Sequence, residues 1–410
     1  MSAFKLKYLL LGTLAAGSVM SAAPASALTI ELNDIGGVSG SPAQLGFQVA
    51  AKYWESVFTN DATIRLDVGY SNLGPGILGS TGSTLYQFLD ISDYQTLLSL
   101  NATSALDATA VANLSPLSGT GSVDVLVPGY LTGTSGVDVD AAPRTAPDGQ
   151  EISNTMAIST ANLKALVGDF GYDGPDAEIQ FSNQFAFDFD PRDGITPGTY
   201  DFIGVAVHEI GHALGFISGV DDFDYNNGYT GSDVDDYWWG YSADMFRYSA
   251  PGQLDWTVGT ESYFSIDGGV TNLGNFSTGS QNGDGWQASH WKEPAVACTN
   301  FQGIMNPYIC NGLEDSVKAL DLALFDAIGW NVNFDVLQNG DYEYLTSTMR
   351  GTFVPEPSTW ALMIMGFGMM GGMVRRRRPA LARWGEPRPE RETPPASTGG
   401  VFYGVGRGRP

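Results

Sequence analysis

The chain has 410 residues, with 45 Asp and Glu against 20 Lys and Arg and a formal net charge of −25. Over 28–374 the imbalance sharpens to nine basic residues against 42 acidic ones, a charge near −33. A surface of that sign repels nucleic acid and anionic membranes, and no nucleic-acid partner is expected.

Residues 1–27 have the order of a secretory signal peptide. Lys5 and Lys7 precede a short apolar run over 8–16, and Ala25-Ser26-Ala27 supplies small residues for cleavage. The apolar run is too short for a spanning helix. Residues 28–350 have the length of one large domain, or of one domain with a sizeable insertion.

Within that domain, 28–32 alternates as a strand does. Residues 42–58 carry Leu45, Val49, Tyr53, Trp54 and Phe58 at helical spacing. Residues 62–70 alternate again through Ile64, Leu66 and Val68. A Gly/Ser/Pro stretch over 74–82 reads as a turn region. Helical patches follow over 93–114, a strand over 123–127, a short helix over 162–168 and a strand over 179–188, which Asp190-Pro-Arg-Asp-Gly194 breaks. A helix is expected over 204–216 and a second over 313–328. The intervening 221–285 is loop-rich. No internal repeat is present.

The segment Val207-His208-Glu209-Ile210-Gly211-His212-Ala213-Leu214-Gly215-Phe216 carries the chemistry. Residues four apart share one face of a helix, so His208 and His212 can offer two imidazoles to one metal. Glu209 lies within reach of a metal-activated water, the arrangement a zinc hydrolase needs. Two histidines and a glutamate in a strongly apolar helix would be costly without such a purpose. The bland reading is two satisfied core histidines. The chain has three histidines in all, and zinc catalysis commonly uses three protein ligands. The third is His290, favoured for a three-imidazole site. The alternatives are Asp221 and Asp222, which follow shortly after Ser218.

Cys298 and Cys310 are expected to pair in an exported protein, enclosing Met305; two free thiols are the alternative. Acidic stretches at Asp188, Asp190 and Asp193, and at Asp221, Asp222, Asp224, Asp233, Asp235 and Asp236, could supply oxygen ligands to calcium. No EF-hand spacing is present, and solvated loop charge is the simpler reading.

The chain resembles the leishmanolysin-type branch of the metzincins, in particular bacterial members with a PEP-CTERM sorting tail. The resemblance rests on His-Glu-Ile-Gly-His-Ala-Leu-Gly-Phe over 208–216, the delayed His290, the segment Gly303-Ile304-Met305-Asn306-Pro307 and the apolar helix over 320–330. It implies an α+β, metzincin-like zincin catalytic domain. That domain would have an N-terminal mixed sheet with helices (28–200), then the zinc helix and a loop-rich C-terminal subdomain with a Met-turn (201–350). His208, His212 and His290 would bind Zn2+, Glu209 would be the general base, and Met305 would floor the metal site. Tyr308 lies three residues after Met305, whereas some metzincins place a catalytic tyrosine two residues after it, so a structural role is the better reading. The strand 180–187 is either the edge that pairs with an extended substrate or an ordinary core strand. The activity implied is hydrolysis of peptide bonds in extracellular or cell-surface proteins.

After Val354-Pro-Glu-Pro, an apolar stretch over 359–374 and Arg375–Arg378 resemble the PEP-CTERM signal over 354–378. That implies transient membrane anchoring, an exosortase-type processing partner and export to the envelope of a Gram-negative bacterium. Residues 379–410 extend beyond such signals and read as a disordered tail. The rival to the peptidase is a catalytically silent surface or matrix protein that binds through the aromatic and Asn/Asp-rich 221–290.

Overall fold

The computed structural model describes residues 28–237 and 239–353. The signal-peptide, sorting-signal and tail expectations lie outside them. The chain is a mixed α+β protein. Strands β1 (Thr29–Gly36), β2 (Thr63–Ser71), β3 (Gly79–Ser83) and β4 (Ala177–Ser182) form one sheet in the order β1-β2-β4-β3. β1 and β4 run parallel to β2, and β3 runs antiparallel to β4. Ile64, Leu66 and Val68 alternate into the core, as their spacing dictates. Helix α1 (Pro42–Val57) connects β1 to β2; Pro42 opens it where a missing N–H is harmless.

Two differences from the sequence reading matter for the site. The strand over 179–188 ends at Ser182, and β4 lies inside the sheet; Phe187–Asp188 instead pairs with Tyr200–Asp201. The sheet edge beside the histidine helix is β3, in the stretch read as turn. Its Gly and Ser residues have poor strand propensity, but pairing with β4 overrides it. The second helix also starts late. Helix α3 (Ala319–Ala327) begins after Ser316–Lys318, which pairs with Glu343–Leu345. The final helix, Thr346–Phe353, runs past 350.

The loop-rich 221–285 contributes short strands to a six-stranded sheet, joined through Gln253–Asp255 to Val125–Val127. The expected patches over 93–114 are two helices, Ile91–Asn101 and Ala105–Ala112.

Helix α2 (Phe202–Ala213) carries His208, Glu209 and His212 and is held by aromatics from both sides of the chain. Trp54 of α1 and Phe58, which caps it, pack on Phe325 and Trp330, with ring centroids 5.0 Å (Trp54–Phe325) and 4.9 Å (Phe58–Trp330) apart. The Trp54 indole donates to the Val207 carbonyl at 3.2 Å, and the Trp330 indole to the Leu214 carbonyl at 2.8 Å. The two indoles therefore bracket the His-Glu-Ile-Gly-His segment. Truncating a fully buried aromatic of this kind costs about 3–5 kcal/mol.

Candidate metal centre

Asp201 caps α2 by accepting the Gly204 N–H at 3.1 Å. The helix ends at Ala213, and the chain turns away at Gly215, whose φ of +115° only glycine adopts readily. The turn brings the Phe216 carbonyl to 2.7 Å from His212 Nδ1. His208 Nδ1 meets the Ile304 carbonyl at 2.8 Å, and His290 Nδ1 the Gln287 carbonyl at 3.2 Å. A carbonyl only accepts, so each Nδ1 carries the hydrogen and each Nε2 is left with a bare lone pair.

Those three lone pairs point at one another. The Nε2 separations are 3.0 Å (His208–His212), 3.2 Å (His212–His290) and 3.3 Å (His208–His290). Tetrahedral zinc with bonds of about 2.0–2.1 Å holds its nitrogen ligands about 3.3–3.4 Å apart. Three acceptors without a hydrogen between them repel, and a cation at their focus removes the conflict. The donor set thus fits a divalent metal. Burial pushes His208 down to about 4 and His212 down to about 3, and holds His290 well below the ordinary histidine range, so the imidazoles are neutral, as a metal ligand must be. Among the described residues this is the one group of metal-ligand side chains that converges.

Glu209 is buried beside the cluster. Burial raises its carboxyl to about 7, opposed by the Thr81 hydroxyl, which lies 2.7 Å from Oε2. Thr81 belongs to β3, and Ser83 of the same strand donates to the His212 carbonyl at 3.1 Å. Gly79 allows the close approach, since a Cβ there would lie 2.9 Å from both Cγ and Cδ of Glu209 and nearer still to Oε1. Below the histidines, Met305 packs against Gly211, where a Cβ would meet its Sδ at 2.5 Å. Met305 is fully buried.

The aspartates considered as ligands are turned elsewhere. Asp221 accepts the N–H groups of Ala288 at 2.6 Å and Ser289 at 3.0 Å, together with the Ser289 hydroxyl, and so anchors the loop that presents His290. Asp222 accepts the Tyr241 hydroxyl at 2.5 Å, and Ser218 donates to Asp244 at 2.6 Å. Sequence reading missed Asp321. Its carboxylate accepts the N–H groups of Ile304 (2.9 Å), Met305 (3.2 Å) and Lys318 (2.8 Å) and the Trp291 indole (2.8 Å). It thereby ties α3 to the carbonyl behind His208 and to the neighbour of His290. Its place in the first turn of an apolar helix marks a helix start but not its bonds to Ile304, Met305 and Trp291.

Cys298 and Cys310 form a disulfide around the loop carrying Met305. Tyr308 lies on the cleft between Trp286 and Phe301, its buried hydroxyl without a hydrogen-bond partner. Several of the acidic groups have partners within the fold: Asp188 accepts from Thr196 and the Asp190 N–H, Asp190 pairs with Arg192, Asp224 caps 280–282, and Asp235 pairs with Arg144. The cleft over the histidines has a volume of about 750 Å³.

Residues 353–378 match the PEP-CTERM protein-sorting motif. No curated protein and no solved structure matches the chain. The motif indicates export and cell-surface sorting in bacteria, with processing by an exosortase-type enzyme. Among the described residues no helix is long and apolar enough to cross a membrane.

Proposed function

We propose that the chain is an exported zinc-dependent endopeptidase of the metzincin type, acting on proteins at or near the cell surface. The observation that carries this reading is the convergence of three bare Nε2 atoms within 3.0–3.3 Å of one another, with Glu209 alongside. The delayed His290, the methionine beneath the ligands and the closing α3 support a leishmanolysin-like arrangement. His208, His212 and His290 would hold the metal. Zinc, when bound, supplies Lewis acidity to a peptide carbonyl and to the attacking water.

The protein's own groups do the rest. A carboxyl near 7 suits a general base at neutral pH. Glu209 takes the proton from the attacking water and returns it to the leaving amine. Thr81 fixes the carboxylate by donating to Oε2. The edge strand β3 offers backbone N–H and C=O groups to an extended peptide lying along it. Its neighbours, Trp286 and Tyr308, wall the far side.

The test is casein zymography of wild type beside Glu209→Gln, with zinc measured on both. Lysis by wild type alone, with about one zinc in each protein, is the expected result. Folded wild type without zinc would sink the reading. Zinc in both with lysis by neither would favour the binding protein on the same fold.

A further inference from the structure

Asp201 and Asp315 lie at the N-terminal end of α2, Asp321 acts on Asp315 through its charge, and the fold treats the three carboxylates unequally. Asp201 receives the N–H groups of Gly204 and Asp315 and the Thr346 hydroxyl. Asp321 receives the four donors described above. Asp315 receives one, the adjacent Ser316 N–H at 2.8 Å. Lys318, the cation that acts on it, is committed to the Phe301 carbonyl and to Glu343. Yet Asp315 faces the cleft. Its Cβ packs on α2 at Gly204, 2.8 Å from where a Cβ of that residue would be. Gly204 precedes His208 by four residues, about 6 Å along the helix. The cleft that Asp315 and the histidines share is also walled by Val205, Tyr200, Phe185 and Ile309.

We propose that Asp315 makes this end of the cleft a pocket for a basic side chain, so that the enzyme prefers substrates with Lys or Arg next to the scissile bond. The inference rests on the peptidase reading. The one-turn separation matches the reach of a lysine or arginine from a backbone held at the histidines. The apolar walls suit the methylene stem, and the carboxylate supplies the counter-charge at the end. Burial raises the Asp315 carboxyl well above the ordinary range, so a charge there is costly until a cation arrives to offset it. Asp201 and Asp321 cannot serve, because donors of the fold already occupy them. The strongly negative body also draws cationic peptides toward the cleft.

The test uses the full-length, zinc-loaded protein on paired peptides that differ only in Lys or Leu at each position flanking the cleaved bond. Wild type should show a kcat/KM about 10–100-fold higher for Lys at one of those positions. Asp315→Asn should collapse that ratio toward one, and Asp315→Glu should keep most of it. The Glu209→Gln protein should bind the Lys peptide more tightly than the Leu peptide by calorimetry, a readout independent of turnover. Cleavage by wild type with equal rates for Lys and Leu overturns the pocket and leaves the peptidase intact. Lys-selective cleavage unchanged in Asp315→Asn overturns the assignment to this residue. Absence of cleavage in wild type, with zinc bound, overturns the peptidase reading itself.

Discussion

Replacing Gly79 by alanine puts one methyl group against the proposed base and leaves the three histidines untouched. The new Cβ would stand 2.9 Å from both Cγ and Cδ of Glu209. Carbon atoms at rest are about 3.5–4.0 Å apart, so something must yield by roughly 0.6–1 Å. β3 is bonded to β4 along its length, and Glu209 sits on a helix gripped by two indoles. The Glu209 side chain is therefore the part that moves, and it loses its contact with Thr81. A misplacement of about 1 Å in a reacting group costs about 100-fold in rate, or about 2.7 kcal/mol of barrier. Alanine also suits a strand slightly better than glycine, so global stability should hold within about 1 kcal/mol. The assay is kcat/KM on a quenched peptide, with zinc content and the urea midpoint measured on the same preparation. Gly79→Ala within threefold of wild type at full zinc occupancy would refute the argument that β3 positions the base.

Asp221→Ala should free the 287–290 loop and weaken zinc binding about 10–100-fold in chelator competition, as loss of a ligand's supporting contacts commonly does; unchanged affinity would show that His290 is placed by other means. The pH dependence of metal retention should be displaced downward. Ordinary histidines, near 6.5, take protons in competition with metal from that pH down. His208 and His212, held near 4 and 3 by burial, should release zinc only below about pH 5. Zinc loss on dialysis with a midpoint near 6.5 would contradict that.

What the sequence disclosed and what it concealed divide along the range of the interactions. The helix with His208, Glu209 and His212 is legible because its ligand geometry is set by a four-residue spacing within one element. His290 was reachable by elimination, the chain having three histidines. Gly79, Thr81 and Ser83 were not legible as a strand, since their fitness lies in being small enough to touch α2 and Glu209, a property visible only once the helix is in place. Asp221 and Asp321 hid for another reason. Each carboxylate serves backbone donors, 67 residues away for Asp221 to Ala288 and 17 for Asp321 to Ile304, and backbone donors carry no sequence signature.

The bond between Cys298 and Cys310 also sets an order of events. Thiols stay reduced in the bacterial cytoplasm and pair after export. Until then the segment that carries Met305, the Ile304 carbonyl behind His208 and Tyr308 lacks its covalent tie and relies on contacts such as those with Asp321. The last covalent closure beside the cleft thus waits for export, to the compartment where the proposed peptidase would meet its substrates.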